Sequence, residues 1–273
     1  SSSPQEGFNM RDNLLNDTMN ARLVAAGPLM GTVGGYGNFP VNSVDDAIEK
    51  TQGLIDAGAD IIKLAIEDDL QGQTWPILPL EQIKAIVQTT HDNNTRVAAH
   101  ISRSHHLYMA IQADVDDVNH MVINSLPDSL IALMVENNMY WVSTLELWKG
   151  VSEMWSINWD IIARNNLKRF VEAGGKVATG TDFGGYVTPF QLGMPIVELQ
   201  LMQEAGMTNE QIIIASTRNS AYVCNMEDEL GTIEPNKIAD IIVVNENPLE
   251  NIEALLNIQM VIHNGRIIRD EIN

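Results

Sequence analysis

Cysteine is nearly absent. Cys224 stands alone among 273 residues, which excludes a disulfide framework within the chain and any multi-cysteine zinc site. Basic residues are scarce too: Lys and Arg total 16 against 36 Asp and Glu, a formal charge of −20. Such a chain lacks the basic face that a phosphate backbone or an anionic lipid surface requires, so neither nucleic acid nor membrane is expected as a partner. No apolar run approaches the roughly 18 residues of a membrane span. No Gly-x-Gly-x-x-Gly follows an apolar run, and no Walker sequence occurs. The stretch 31–37 (GTVGGYG) is glycine-rich but lacks the phosphate-loop Lys, and it reads as a flexible loop. No basic-then-apolar leader follows Ser1, and nothing in the residues indicates a compartment.

What is present is a globular composition, 45% hydrophobic and 19% charged. Short apolar runs occur at 22–26 (RLVAA), 59–65 (ADIIKLA), 96–101 (RVAAHI), 117–122 (DVNHMV), 140–145 (YWVSTL) and 176–182 (KVATGTD). They are near-continuous rather than alternating, as buried parallel strands are. Helical patterns lie between them. Ser43 is placed to cap a helix running to Ala57, with Gly58 ending it. Residues 80–91, 105–113, 128–137 and 160–173 read as further helices, and Thr208 with Gln211 forms a capping-box start. Strand–helix alternation implies an α/β fold with a parallel sheet. Six strands suit an open doubly wound sheet or part of an eight-stranded (β/α)8 barrel. After Leu230 the texture changes: 232–244 and 258–268 read as short strands, with an Asn264-Gly265 hairpin turn. The expected division is 1–230 and 231–273.

Four polar side chains stand at or near the C-terminal ends of these apolar runs: Lys63, His100, His120 and Asp182. In barrel enzymes that rim carries the active site. Burying an amine, two imidazoles and a carboxylate is costly unless they satisfy one another or a metal. Imidazole and carboxylate are ligands suited to Zn²⁺. Each residue alone has an ordinary explanation. A strand-end His is commonly structural, Lys63 has Glu67 and Asp68 nearby in sequence, and Asp182 precedes a glycine pair. The ordered set carries the argument.

The chain resembles the amidohydrolase superfamily, in the branch of imidazolonepropionase-like and prolidase-like enzymes. The resemblance runs from about Arg11 onward. It rests on 58–63 (GADIIK), 97–100 (VAAH), 118–120 (VNH), 180–185 (GTDFGG), 205–208 (AGMT), 217–221 (TRNSA) and the tail 231–240 (GTIEPNKIAD) followed by 247–249 (NPL). It implies a metal-dependent hydrolase on a (β/α)8 TIM barrel, with 231–273 forming the C-terminal part of a small β-sandwich. It implies an N-carboxylated Lys63 bridging two divalent ions, zinc by ligand type, with His100 and His120 on one metal. Asp182 then serves as both ligand and proton carrier. A Lys at that strand implies the prolidase-like branch, and so cleavage of a C–N bond in a dipeptide or N-acyl amino acid. A mononuclear deaminase or cyclic-amidine hydrolase is the catalytic alternative, and a non-catalytic barrel subunit or remnant is the alternative of another class.

The chain departs from the family in one respect. The family adds His-x-His on its first strand, and the six histidines here, His91, His100, His105, His106, His120 and His263, contain no such pair. Two barrel strands are also wanting. The expectation is therefore that the chain lacks its first strands, and that an N-terminal polypeptide supplies them with the His-x-His ligands or homo-oligomerisation covers the gap. Specificity is expected in the loops 101–106, 146–159 and 183–193. Arg103 there is a candidate for a substrate carboxylate or an ordinary surface residue, and Trp148, Trp155 and Trp159 for a pocket wall, a lid or plain packing.

Overall fold

The computed structural model describes residues 4–15, 17, 19–70, 72–183 and 192–272. In chain order, the strands among these residues begin with β1 (Met30–Thr32), β2 (Phe39–Val41) and β3 (Ile62–Ala65). A two-residue pair follows, β4 (Asp69–Leu70) and β5 (Gln73–Thr74), then β6 (Val97–His100), β7 (Asp117–Asn119), β8 (Tyr140–Val142) and β9 (Lys176–Ala178). The C-terminal strands are β10 (Ile241–Val244), β11 (Ile258–His263) and β12 (Arg266–Asp270). The helices are α1 (Pro4–Leu14), α2 (Val44–Asp56), α3 (Leu80–Asp92), α4 (Ser104–Gln112), α5 (Asp128–Glu136), α6 (Leu145–Trp155) and α7 (Trp159–Glu172). After them come α8 (Ile196–Glu204), α9 (Asn209–Ile214), a π-helical turn at Ala215–Asn219, and α10 (Ser220–Val223).

Seven strands form one sheet in the order β2-β1-β3-β6-β7-β8-β9, and every neighbouring pair is parallel. From β3 onward each new strand is added on the same side, after a crossover that contains a helix. A doubly wound sheet reverses its direction at a switch point. From β3 to β9 this one does not, and only the short β2, which follows β1 without a helix between them, lies on the other side, so the winding is consistent with a TIM-barrel-like α/β fold. Strand count alone could not make that distinction. The C-terminal strands form a separate three-stranded antiparallel sheet, β10-β11-β12, with His263 opposite Arg266 across the expected turn.

The parallel strands turn one apolar face to the helices, and the register places its residues side by side. Ile62, Leu64, Val97, Ala99, Val118 and Trp141 are all fully buried, which suits strands covered by helices. The helices begin where their caps are. Ser43 accepts from the Asp46 N–H at 3.1 Å, a bond whose loss to Ala costs about 1 kcal/mol. Gly58 follows the end of α2 at φ +93°, where a side chain would be strained.

Four expectations need correction. Residues 22–26 make no strand: Ala25 N–H is taken by the Asp60 carboxylate at 2.7 Å, and Ala25 O accepts from Asp60 N–H, so this backbone is anchored to one residue rather than to a ladder. The first strand is Met30–Thr32, overlapping the start of the stretch read as a flexible loop. Its Gly31 is needed for close approach, since a Cβ there would stand 2.2 Å from the Tyr36 carbonyl oxygen. The segment 146–159 is mostly helix α6, because a distant carboxylate, Glu198, satisfies its free N-terminal N–H groups. Of 232–244, only Ile241–Val244 is strand. Of the loop 183–193, residues 184–191 lie outside the described residues.

Candidate metal centre at the strand ends

Lys63 lies on β3, His100 ends β6, His120 directly follows β7, and Asp182 lies beyond β9. Register brings Lys63 and His100 to one face. Lys63 pairs with Ala98 and Ala65 with His100, and side chains two residues apart along a strand point the same way. Lys63 therefore stands one layer below His100. The His100 and His120 rings meet edge to face with centroids 4.8 Å apart. Both rings are buried. Lys63 and Asp182 act electrostatically on His100, Lys63 also on His120, and Lys63 and Asp182 on each other. The four side chains singled out from the sequence thus share one neighbourhood.

Burial governs their protonation. Desolvation lowers both imidazoles, His120 well below its ordinary value, with the charge of Lys63 adding to the effect. Desolvation also lowers Lys63 to about 8, against the pull of Asp117 and Asp182. Asp117, buried at the start of β7, is pushed up to about 7 by burial despite Lys63. Asp182 is reached by solvent, yet the partial loss of water around it raises its pKa, Lys63 and His100 opposing. Neutral imidazoles and an amine that readily loses its proton are the forms in which these groups bind metal or CO2.

Residues not evident from the sequence hold the pair in place. Thr144 Oγ1 lies 3.1 Å from His120 Nδ1, and Trp141 Nε1 donates to the His120 carbonyl at 2.6 Å. Tyr36 stacks on His100 at 4.5 Å, with an interplanar angle of 18°. Three rim residues take positive φ: His120 at +70°, Asp182 at +53° and Thr144 at +131°. For a β-branched residue such as Thr144 that conformation is costly, and it persists only where the surroundings enforce it. The enforcement comes from Glu198 on α8. Its buried carboxylate accepts from the N–H groups of Thr144 and Leu145 at 3.0 Å and of Glu146 at 2.7 Å. None of these contacts could be read from spacing, because the partners lie 21 to 64 residues apart.

A second group lies beside the first. Asp68, His105 and His106 bring their ligand atoms within 4.8 Å of one another, a donor set and spacing that could hold a metal ion. Among the described residues it is the tight three-membered His/Asp cluster, whereas His100, His120 and Asp182 are spread more widely. The adjacent His105 and His106 do not have the His-x-His spacing. Asp68, 37 residues from His105, is what unites them, at 3.0 and 2.8 Å. His106 Nδ1 accepts from Arg103 N–H at 3.2 Å, so its proton sits on Nε2 and goes to Asp68. A cation here would have to displace that proton.

The expected specificity residues adjoin the site. Trp148 stands edge-on to His120 at 6.3 Å and to Trp159 at 5.7 Å, and Trp155 meets Trp159 at 6.1 Å. The Arg103 guanidinium lies 5.5 Å from the Trp159 ring centre and 3.6 Å from Asp69. A cavity of about 350 Å³ lined by Tyr140, Lys176 and Arg218 lies by the opposite ends of β8 and β9 and contains none of the four.

Known proteins resemble this chain over most of its length. Ochratoxinase of Aspergillus niger is 26% identical over 266 residues, covering 87% of this chain and 54% of the relative. The chain thus spans about half the length of that curated relative. Imidazolonepropionase of Caldanaerobacter subterraneus subsp. tengcongensis is 36% identical over 86 residues, 30% of this chain and 20% of the relative. The crystal structure of a Xaa-Pro dipeptidase with bound methionine in the active site superposes with a TM-score of 0.83 at 27% identity, covering 96% of this chain and 72% of that one. The family profile described as Amidohydrolase family matches residues 7–268. The chain belongs to the Amidohydrolase family.

Proposed function

We propose that this chain carries the catalytic face of a metal-dependent hydrolase that cleaves a C–N bond in a small substrate, a dipeptide or an N-acyl amino acid. The observation that carries the reading is the meeting of two buried imidazoles, 4.8 Å apart, with Lys63 and Asp182 in their field. The donor set fits a divalent ion. With Nδ1 of His120 engaged by Thr144, Nε2 is left to ligate, and both rings are held neutral. Lys63, His100, His120 and Asp182 would hold one or two ions, zinc by ligand type, with Lys63 as a carbamate if there are two. A bound ion supplies Lewis acidity to the scissile carbonyl and to water. Asp182 takes a proton from the attacking water as the C–O bond forms and then passes it to the leaving nitrogen as the C–N bond breaks, so the amine departs neutral.

The name of the similar Xaa-Pro dipeptidase supports an amide-type substrate. The share of those relatives that this chain spans leaves further ligands to be supplied, and we propose that a His-x-His pair from polypeptide outside these 273 residues completes the set. Metal analysis and intact mass of purified active protein test this together. Two zinc ions with an additional polypeptide or longer chain support it, whereas an active binuclear species of 30.2 kDa contradicts it. Hydrolysis of dipeptides and N-acyl amino acids, without turnover of a cyclic amidine, supports the substrate class. The reverse pattern favours the imidazolonepropionase-like alternative, which the local 36% match also supports.

A further inference from the structure

We infer that Glu67 is the positioning residue for His100: its Oε2 takes the Nε2 proton of that imidazole and leaves Nδ1 to face the cation. This rests on the reading of the site as a metal centre. Glu67 lies just past β3, and its side chain is inaccessible to solvent. One carboxylate oxygen, Oε1, accepts from Asp69 N–H at 2.9 Å, which fixes the carboxylate in place. The other, Oε2, makes no hydrogen bond and lies 3.4 Å from His100 Nε2, which is itself buried and without a hydrogen-bond partner.

Two buried polar atoms, each lacking a partner and standing this close, are costly unless they share a proton. A closure of about half an ångström turns the contact into a charge-assisted hydrogen bond of ordinary length. The other groups near Oε2 do not account for it as well. His106 Nδ1, at 3.8 Å, already accepts from Arg103 N–H and has no proton to give. The Ser102 hydroxyl is also buried without a hydrogen-bond partner, and it is a donor for whatever capacity the carboxylate has left. Tyr36, stacked on His100, restrains the ring plane, so the carboxylate need only select the tautomer. A carboxylate behind a ligating imidazole fixes its orientation and raises its basicity, and its loss typically weakens metal binding 10- to 100-fold.

The test has two parts. Zinc affinity is measured by competition with a chromogenic chelator for the wild type, Glu67→Ala, Glu67→Gln and His100→Ala. The tautomer of His100 is read in the wild type by long-range ¹H–¹⁵N correlation on ¹⁵N-histidine-labelled protein, with His100→Ala assigning the signal. The expected result is zinc binding weakened 10- to 100-fold in Glu67→Ala and less in Glu67→Gln, whose amide oxygen still accepts, with the His100 proton on Nε2. Unchanged affinity in Glu67→Ala alongside weakened affinity in His100→Ala overturns the positioning role and spares the metal centre. A proton on Nδ1 overturns it as well, whether or not the variants fold. If His100→Ala also leaves zinc binding unchanged, the metal-centre reading fails and the role of Glu67 falls with it.

Discussion

His120 Nδ1 and Thr144 Oγ1 stand 3.1 Å apart, joining a residue just past β7 to the N-cap residue just before α6. The contact fixes which nitrogen of His120 is free, and it makes a cap of one helix part of the geometry of the rim. Thr144→Val keeps the shape and removes the oxygen. The expected outcome is zinc affinity about 10-fold weaker, with Thr144→Ser restoring most of it. Chelator competition measures both.

Asp182 is assigned the proton transfer. Asp182→Asn is isosteric and cannot accept a proton, so the protein is expected to fold as before while turnover falls by about 10² to 10⁴. Circular dichroism and steady-state kinetics check the two halves. Undiminished turnover removes Asp182 from the mechanism.

Lys63 carries the distinction between one ion and two. In Lys63→Ala the proposed carbamate cannot form, and bound metal is expected to fall from two equivalents towards one. Elemental analysis of protein dialysed against metal-free buffer measures the ratio. A constant ratio means that Lys63 is not a ligand.

Glu198 links stability to pH. Desolvation raises its pKa from 4.5 to about 7 despite the three N–H donors. A carboxyl raised in the folded state keeps its proton where the unfolded chain has lost it. Its contribution is therefore fully present below pH 4.5 and is lost as pH rises to about 7, by about 3 kcal/mol in all. Glu198→Gln cannot titrate, so urea unfolding across pH 4.5–7 is expected to show the wild type losing stability relative to this variant. Parallel curves contradict the assignment. Gln also replaces one acceptor oxygen with an N–H₂ facing the N-terminus of α6, so the variant is expected to be less stable than the wild type at pH 4.5.

The legible parts of this protein were those whose signal is local. Continuous apolar runs marked β3, β6, β7, β8 and β9, and Ser43 and Thr208 marked helix starts because a cap acts over three residues. Lys63, His100, His120 and Asp182 were visible as polar residues at the ends of apolar strands. Met30–Thr32 was hidden by glycines that lower strand propensity, although Gly31 is there to let Tyr36 approach. Tyr36, Glu67, Thr144 and Glu198 gave no local signal. Their roles come from contacts across the fold, as does the cluster in which Asp68 unites two adjacent histidines.

The account depends on divalent ions lying among Lys63, His100, His120 and Asp182. The most direct measurement is anomalous scattering at the zinc edge from crystals grown with zinc. The account predicts a peak within ligand distance of His100 and His120. A peak only among Asp68, His105 and His106, with none between the two imidazoles, would contradict it.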